Sequence, residues 1–264
     1  MTEPADGRGV LYPTRLPSFS RRPAPPELQD RVRWFWIPQW QLAPGRTSRQ
    51  NVLPFPASNL VVEESGVSLS GPTTGASYRD LRGSGWAAGA LLRPGGIASL
   101  STNPSGILNT QVPFDAPDLQ RALCDVMSAD DASGIEQAIT EFTAWATENL
   151  EPPDESGLLA NAMEDLIASD PSIVRVEQVA SALHLSARGV QRLARRFVGV
   201  PPLAMIRRYR LQEAARKLRE NPSLTIAQVA ADLGYADHAH LTTDFTRVVG
   251  FTPTNYRRNS TPDV

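Results

Sequence analysis

The chain has 264 residues, of which 41% are hydrophobic and 20% charged, and one cysteine. That balance suits a core-forming globular protein of two domains, and Cys124 alone excludes an internal disulfide or a multi-cysteine metal site. The formal net charge of −2 hides a split: residues 172–264 carry 14 basic against 7 acidic side chains, and the first 171 carry 12 against 21. The C-terminal part therefore attracts a polyanion while the rest resists it. No apolar run approaches the roughly 20 residues that span a bilayer. The opening MTEPADGRG lacks the apolar core of a secretory signal, so a cytoplasmic protein is expected.

Residues 1–28 are rich in Pro, Arg, Ser and Gly, with Pro23, Pro25 and Pro26 clustered, and read as a flexible tail. Residues 29–115 read as β-rich. The run Arg31-Val32-Arg33-Trp34-Phe35-Trp36-Ile37 alternates at its start and is aromatic throughout. Leu60–Glu63 and Gly66–Ser70 flank a turn, and Trp86–Leu92 ends at Pro94-Gly95-Gly96. Short strands with Gly and Pro punctuation suggest a small sandwich or barrel. Trp34, Trp36, Trp40 and Trp86, with Arg33, Phe35 and Arg93, either line a pocket for an aromatic or acidic small molecule or fill the core.

From Asp118 to Asp170 the period turns helical, in stripes such as Leu119, Leu123, Met127 and Ile135, Ile139, Phe142, Ala146. Residues 116–171 thus read as a helical connector or a dimerisation segment. A homodimer is one expected partner, beside plain packing on the β-domain.

Residues 172–260 repeat a pattern. Val179-Ala180, Leu183, Gly199 and Pro202 recur as Val229-Ala230, Leu233, Gly250 and Pro253, offset by 50 and then 51 residues. Each copy has the length and punctuation of a helix-turn-helix. In the first, Ser186 is a good N-cap for a helix running to about Phe197. Val190, Leu193, Ala194 and Phe197 are its buried stripe. Arg188, Gln191, Arg192 and Arg195 share the opposite face, with no acid among them, and suit base contacts in a major groove. Arg196 points aside, toward phosphate.

Pro202–Glu220 reads as one long linker helix with Leu203, Ile206, Leu211, Ala214, Ala215 and Leu218 inward; its nineteen residues span about 28 Å. In the second copy Thr225 and Asp237 are caps. Leu241, Phe245 and Val248 face inward. His238, Thr242 and Thr243 are left for bases, and Thr246, Arg247, Arg257 and Arg258 for phosphates. This face is less basic, so the first unit is expected to dominate base reading.

These residues resemble the AraC/XylS-type transcriptional regulators. The likeness rests on Leu185-Ser186, Gly199, Pro202, Arg210-Leu211, Ala214, Ile226-Ala227-Gln228-Val229-Ala230, Leu233-Gly234-Tyr235, Phe245, Gly250, Thr252-Pro253 and Tyr256-Arg257-Arg258. It covers about a third of the chain. Asp237-His238-Ala239-His240-Leu241 is close to the Asp-Gln-Ala-His-Phe version of one branch, and Trp36, Leu53-Pro54 and Leu92–Gly96 are loosely similar to that branch's sensor-like domain. Two positions depart: the family usually has Arg where Thr243 stands and Phe where Leu241 stands.

The resemblance implies a bacterial one-component regulator that binds double-stranded DNA. It also implies a variable N-terminal domain, often a cupin-like barrel, that takes a small-molecule effector or mediates self-association. The competing expectation is an N-terminal module that binds a partner protein and no metabolite. The expected fold class is α+β: a cupin-like barrel or sandwich with following helices, then an all-α double helix-turn-helix domain. No enzyme is expected. The three histidines, His184, His238 and His240, all lie in the DNA-binding part, so a His-ligated metal site in the β-domain is excluded. No P-loop or Gly-x-Ser-x-Gly elbow occurs, and no catalytic residue, cofactor or metal is expected.

Overall fold

The computed structural model describes residues 18–128 and 132–260. The N-terminal part is built on an antiparallel sheet of β1 (Ser18–Pro23), β2 (Val32–Gln41), β4 (Asn59–Glu63), β5 (Gly66–Ser70), β7 (Ser84–Trp86), β8 (Ala88–Leu92) and β9 (Gln111–Pro113). Its hydrogen-bonded order is β1-β2-β8-β4-β5-β9, and β7 pairs with the far end of β2. A separate two-stranded ribbon joins β3 (Thr47–Val52) to β6 (Ser77–Arg82).

β2 explains how this sheet serves two cores. Its pairing with β8 slips between Val32 and Trp34, so Arg33 is the extra residue of a bulge. The slip shifts the alternation of sides. Val32, Phe35 and Ile37 face one core, and Trp34 faces the other. On the first side, α1 (Pro117–Met127) and α2 (Ala132–Asn149) cover Phe35, Leu60, Val62 and Leu92 with Leu119, Leu123 and Phe142. On the second, Trp34 and Leu91 meet α3 (Glu155–Ser169), α4 (Val176–Ala182), α5 (Ala187–Phe197) and the first half of α6 (Pro202–Glu220). A third core joins Leu53 and the second half of α6 to α7 (Ile226–Asp232), α8 (His238–Val249) and α9 (Pro253–Ser260).

Three expectations need correction. The expected tail lies outside the described residues only up to residue 17. Ser18–Pro23 is a strand paired with β2 from Ser18↔Gln39 to Pro23↔Trp34, and Leu28 is buried in the first core. The expected connector over 116–171 is two units, because α1 and α2 cover one side of the sheet while α3 joins the first helix-turn-helix on the other. Leu203 is exposed, since the inward stripe at the start of α6 runs through Pro202, Met205, Ile206 and Tyr209. As for barrel or sandwich, the sheet has β1 and β9 at the ends of its order.

Buried charge fixes α3 to the sheet. Glu164 is fully buried and accepts from Arg33 Nη2 at 2.8 Å and from the Tyr209 hydroxyl at 2.9 Å, with Arg93 Nε 3.5 Å away. Asp165 takes Arg93 Nη2 at 2.7 Å. Burial disfavours the Arg33 cation, but the charge and hydrogen bond of Glu164, together with Tyr209 and Asp165, offset this and hold the group above the usual arginine range.

The N-terminal part also grips both helix-turn-helix units at equivalent turns. Gly199 follows α5 at φ +83°, and a Cβ there would lie 2.7 Å from the Pro104 carbonyl. Its counterpart Gly250 follows α8 at φ +84°, and the preceding Val248 carbonyl accepts from Ala76 N at 2.8 Å. Asn109 ties the two gripping loops together, since its Oδ1 accepts from Thr74 N at 2.6 Å and its own N–H donates to Pro72 O at 3.0 Å.

Two outcomes follow for chemical denaturation. Gly199→Ala meets a left-handed backbone penalty of about 1–2 kcal/mol and backbone overpacking of about 1–3 kcal/mol more. Gly250→Ala meets only the first, because Ala76 Cβ is 3.9 Å away; the opposite ranking would contradict this packing. Glu164→Ala leaves the half-buried Arg33 and Arg93 with the more exposed Asp165 as their one carboxylate, unpairs the Tyr209 hydroxyl, and should cost about 3–5 kcal/mol. A cost below about 1 kcal/mol would show that the cluster does not hold α3 in place.

Candidate nucleic-acid interface

The 50-residue repeat is a structural repeat. Leu185 N donates to Ala180 O at 2.8 Å, and Tyr235 N donates to Ala230 O at 2.9 Å. The left-handed residue of the turn is His184 at φ 54° in the first unit and Gly234 at φ +68° in the second. Caps then start the recognition helices. Ser186 Oγ accepts from Gly189 N at 3.1 Å, and Asp237 Oδ1 accepts from His240 N at 2.7 Å. Ala236 is the extra residue that changes the offset from 50 to 51. At the second supporting helix, Thr225 and Gln228 cap reciprocally, Gln228 N donating to Thr225 Oγ1 at 3.1 Å and Thr225 N to Gln228 Oε1 at 2.8 Å.

Val190, Leu193, Ala194 and Phe197 bury one side of α5. The opposite side leaves Arg188, Gln191, Arg192 and Arg195 exposed together. None of the four is held by a hydrogen bond or ion pair among the described residues. Buried packing therefore orients the helix while its long donors stay free for another molecule. Arg196 sits at the edge of this face, with its guanidinium 4.7 Å from the Phe197 ring centre and 3.8 Å from Asp154.

On α8 the exposed positions are His238, Ala239, His240, Thr243, Thr246 and Arg247, with Thr242 half-buried. Arg247 is tied to the buried Asp244 one turn back. His240 packs edge-on to Tyr235, ring centres 5.2 Å apart. Arg210 stacks 3.9 Å over the same Tyr235 ring and donates to Leu233 O at 2.8 Å, which fastens α6 to the second turn. Burial pushes the Tyr235 hydroxyl up to about 12.

Arg257 holds another position than the expected phosphate contact. It is half-buried and donates to Leu224 O at 2.6 Å and Pro222 O at 3.4 Å, so it braces the loop after α6. Arg258 is exposed beside it. The residues proposed for a ligand pocket are not brought to one cavity. Phe35 and Trp86 belong to the first core and Trp34 to the second. Trp36 Nε1 donates to Asn59 Oδ1 at 3.0 Å and Trp40 Nε1 to Arg82 O at 3.2 Å. Arg33 and Arg93 are occupied by Glu164 and Asp165.

The sequence reading missed Glu164, Tyr209 and the two gripping loops. The repeated Gly199 and Gly250 were a signal for the latter, although they read there as turn punctuation only. Among the described residues, no helix is long and apolar enough to cross a membrane, and no group of three or more His, Cys, Asp or Glu is placed to hold a metal.

Comparison with known proteins agrees with this geometry. Residues 179–259 match a helix-turn-helix domain family, and residues 20–113 match a domain of unknown function, DUF6597. The chain is 35% identical over 120 residues to a putative AraC-like transcription regulator of Streptomyces lividans, covering 42% of this chain and 38% of that protein. It is 35% identical over 82 residues to the RCS-specific HTH-type transcriptional activator RclR of Escherichia coli strain K12, covering 31% and 28%. The chain thus spans about two fifths or less of the length of these curated relatives. Among solved structures, apo ToxT K231A from Vibrio cholerae superposes with a TM-score of 0.47 at 13% identity, over 91% of this chain and 100% of that one. The double repeat and its caps agree with the family match, which makes residues 179–259 a helix-turn-helix domain, similar in sequence to regulators described as AraC-like.

Proposed function

We propose that the chain is a sequence-specific transcription regulator whose two recognition helices, α5 and α8, enter adjacent major grooves of one DNA duplex. The observation that carries this reading is the α5 face, where three arginines and a glutamine stand exposed, free of protein partners, on a helix locked from behind. Arginine suits the O6 and N7 acceptors of guanine, and glutamine suits the adenine edge. In this reading Arg188, Gln191, Arg192 and Arg195 read bases, and Arg196 reaches the flanking phosphate.

The second helix reads less. His238, Thr242 and Thr243 make shorter, less selective contacts, while Thr246, Arg247 and Arg258 meet the backbone. Arg257 stays a brace. The N-terminal domain regulates through its seat on the DNA-binding part. It shares a core with the first unit and holds the turn after each recognition helix, so a change in that seat changes how the two helices are presented. A small-molecule effector, or self-association, acts on this coupling, and the finer likeness to a cupin-like sensor belongs to the same reading.

Arg192→Ala should weaken binding to a selected operator by about 1–3 kcal/mol and relax preference at one base position, read by competition with single-base operator variants. An equal loss on random DNA would place Arg192 on phosphate only. Arg258→Ala should weaken all sequences alike and lower the salt slope of binding by about one; an unchanged slope would remove it from the interface.

A further inference from the structure

Arg208 lies on α6 with 5% of its surface exposed, so it cannot reach DNA. Its Nε and Nη1 are enclosed by protein and meet no acceptor among the described residues. One turn further, Gln212 is 3% exposed; its Nε2 donates to Pro54 O at 3.0 Å, while its Oε1 is enclosed and meets no donor.

Arg31, Arg33 and Arg93, also enclosed by this fold, each meet at least one carbonyl or carboxylate, even where one nitrogen is left over. Arg31, at 7% exposure, donates to Leu150 O at 2.7 Å and to Asp30 Oδ1 at 3.0 Å, and it also reaches Glu27 O. Arg33 and Arg93 share Glu164 and Asp165. Arg208 is treated differently, and burial without an opposing charge pulls it down to about 10, still cationic at neutral pH. An uncompensated buried charge costs several kcal/mol, far more than one satisfied by an acceptor.

Its place is telling. The segment Leu53–Ala57 of the N-terminal part crosses α6 here: Leu53 enters the core of the second helix-turn-helix, and Phe55 enters that of the first, 5.7 Å from the Tyr209 ring. Pro54, between them, is the partner of Gln212.

We propose that Arg208 and Gln212 form a binding site for a small oxyanion, a carboxylate or phosphate on a molecule that also carries a hydroxyl, at the crossing of segment 53–57 over α6. The oxyanion accepts from the Arg208 guanidinium, and the hydroxyl donates to Gln212 Oε1. Binding neutralises the buried cation and so favours the arrangement in which the N-terminal part is seated on α6. The binding stands on the geometry alone; its effect on DNA affinity rests on the regulator reading above.

The test is thermal unfolding of the full chain without DNA, in inorganic phosphate and in glycolate, against chloride at matched ionic strength. The unfolding temperature of the unaltered chain should rise and saturate with either oxyanion. Arg208→Met should abolish that rise while unfolding, in chloride, at or above the temperature of the unaltered chain. Should Arg208→Met misfold, Arg208→Gln serves, with an expected tenfold or greater loss of apparent phosphate affinity. Arg192→Ala, in the exposed basic face, should keep the full response. No oxyanion-specific rise, or a rise that survives at position 208 and is lost with Arg192→Ala, would overturn the proposal. Neither result bears on whether the chain binds DNA.

Discussion

Burial of α6 along both of its halves is the constraint on which the rest depends. Met205, Ile206 and Tyr209 lie in one core and Leu211, Ala214, Ala215 and Leu218 in another, so a single rigid rod forms a wall of both helix-turn-helix units. Nineteen residues at 1.5 Å each give about 28 Å, which places the units on the scale of one DNA turn. The N-terminal part leans on the same rod through Tyr209, Gln212 and segment 53–57. Spacing of the recognition helices and coupling to the N-terminal part therefore share one physical support.

The two units are alike in backbone and unlike in surface. Caps, turns and buried stripes repeat, because each supporting helix needs the same left-handed turn residue to aim the next helix. The first unit tolerates that conformation at His184, where the second has Gly234. Outward positions are free of this constraint, and there the first helix carries long cations and the second carries hydroxyls. In the proposed reading this difference makes the first helix the stronger reader of bases and the second a positioning element.

Much of the C-terminal part was legible in the sequence, since its signals are local. Ser186, Thr225 and Asp237 cap where their side chains reach the next turn, and Pro202 opens α6. What was not legible depends on distant partners. Ser18–Pro23 has the composition of a tail and becomes a strand only by pairing with β2. The bulge at Arg33 breaks the alternation that would have put Val32 on the side opposite Phe35 and Ile37. Arg257 looks like a surface cation until Leu224, 33 residues earlier, is seen to accept from it. The aromatic set that suggested a pocket is divided between two cores by the alternation that resumes after the bulge, Trp34 on one side and Phe35 on the other.

Hydroxyl-radical footprinting of the full chain on a duplex selected from random sequence, followed by single-base substitution across the protected region, tests the central claim most directly. Two protected patches about one helical turn apart are expected, with strong base preference confined to the patch contacted by the helix that carries Arg192. A single patch, or equal base preference in both, would contradict the account.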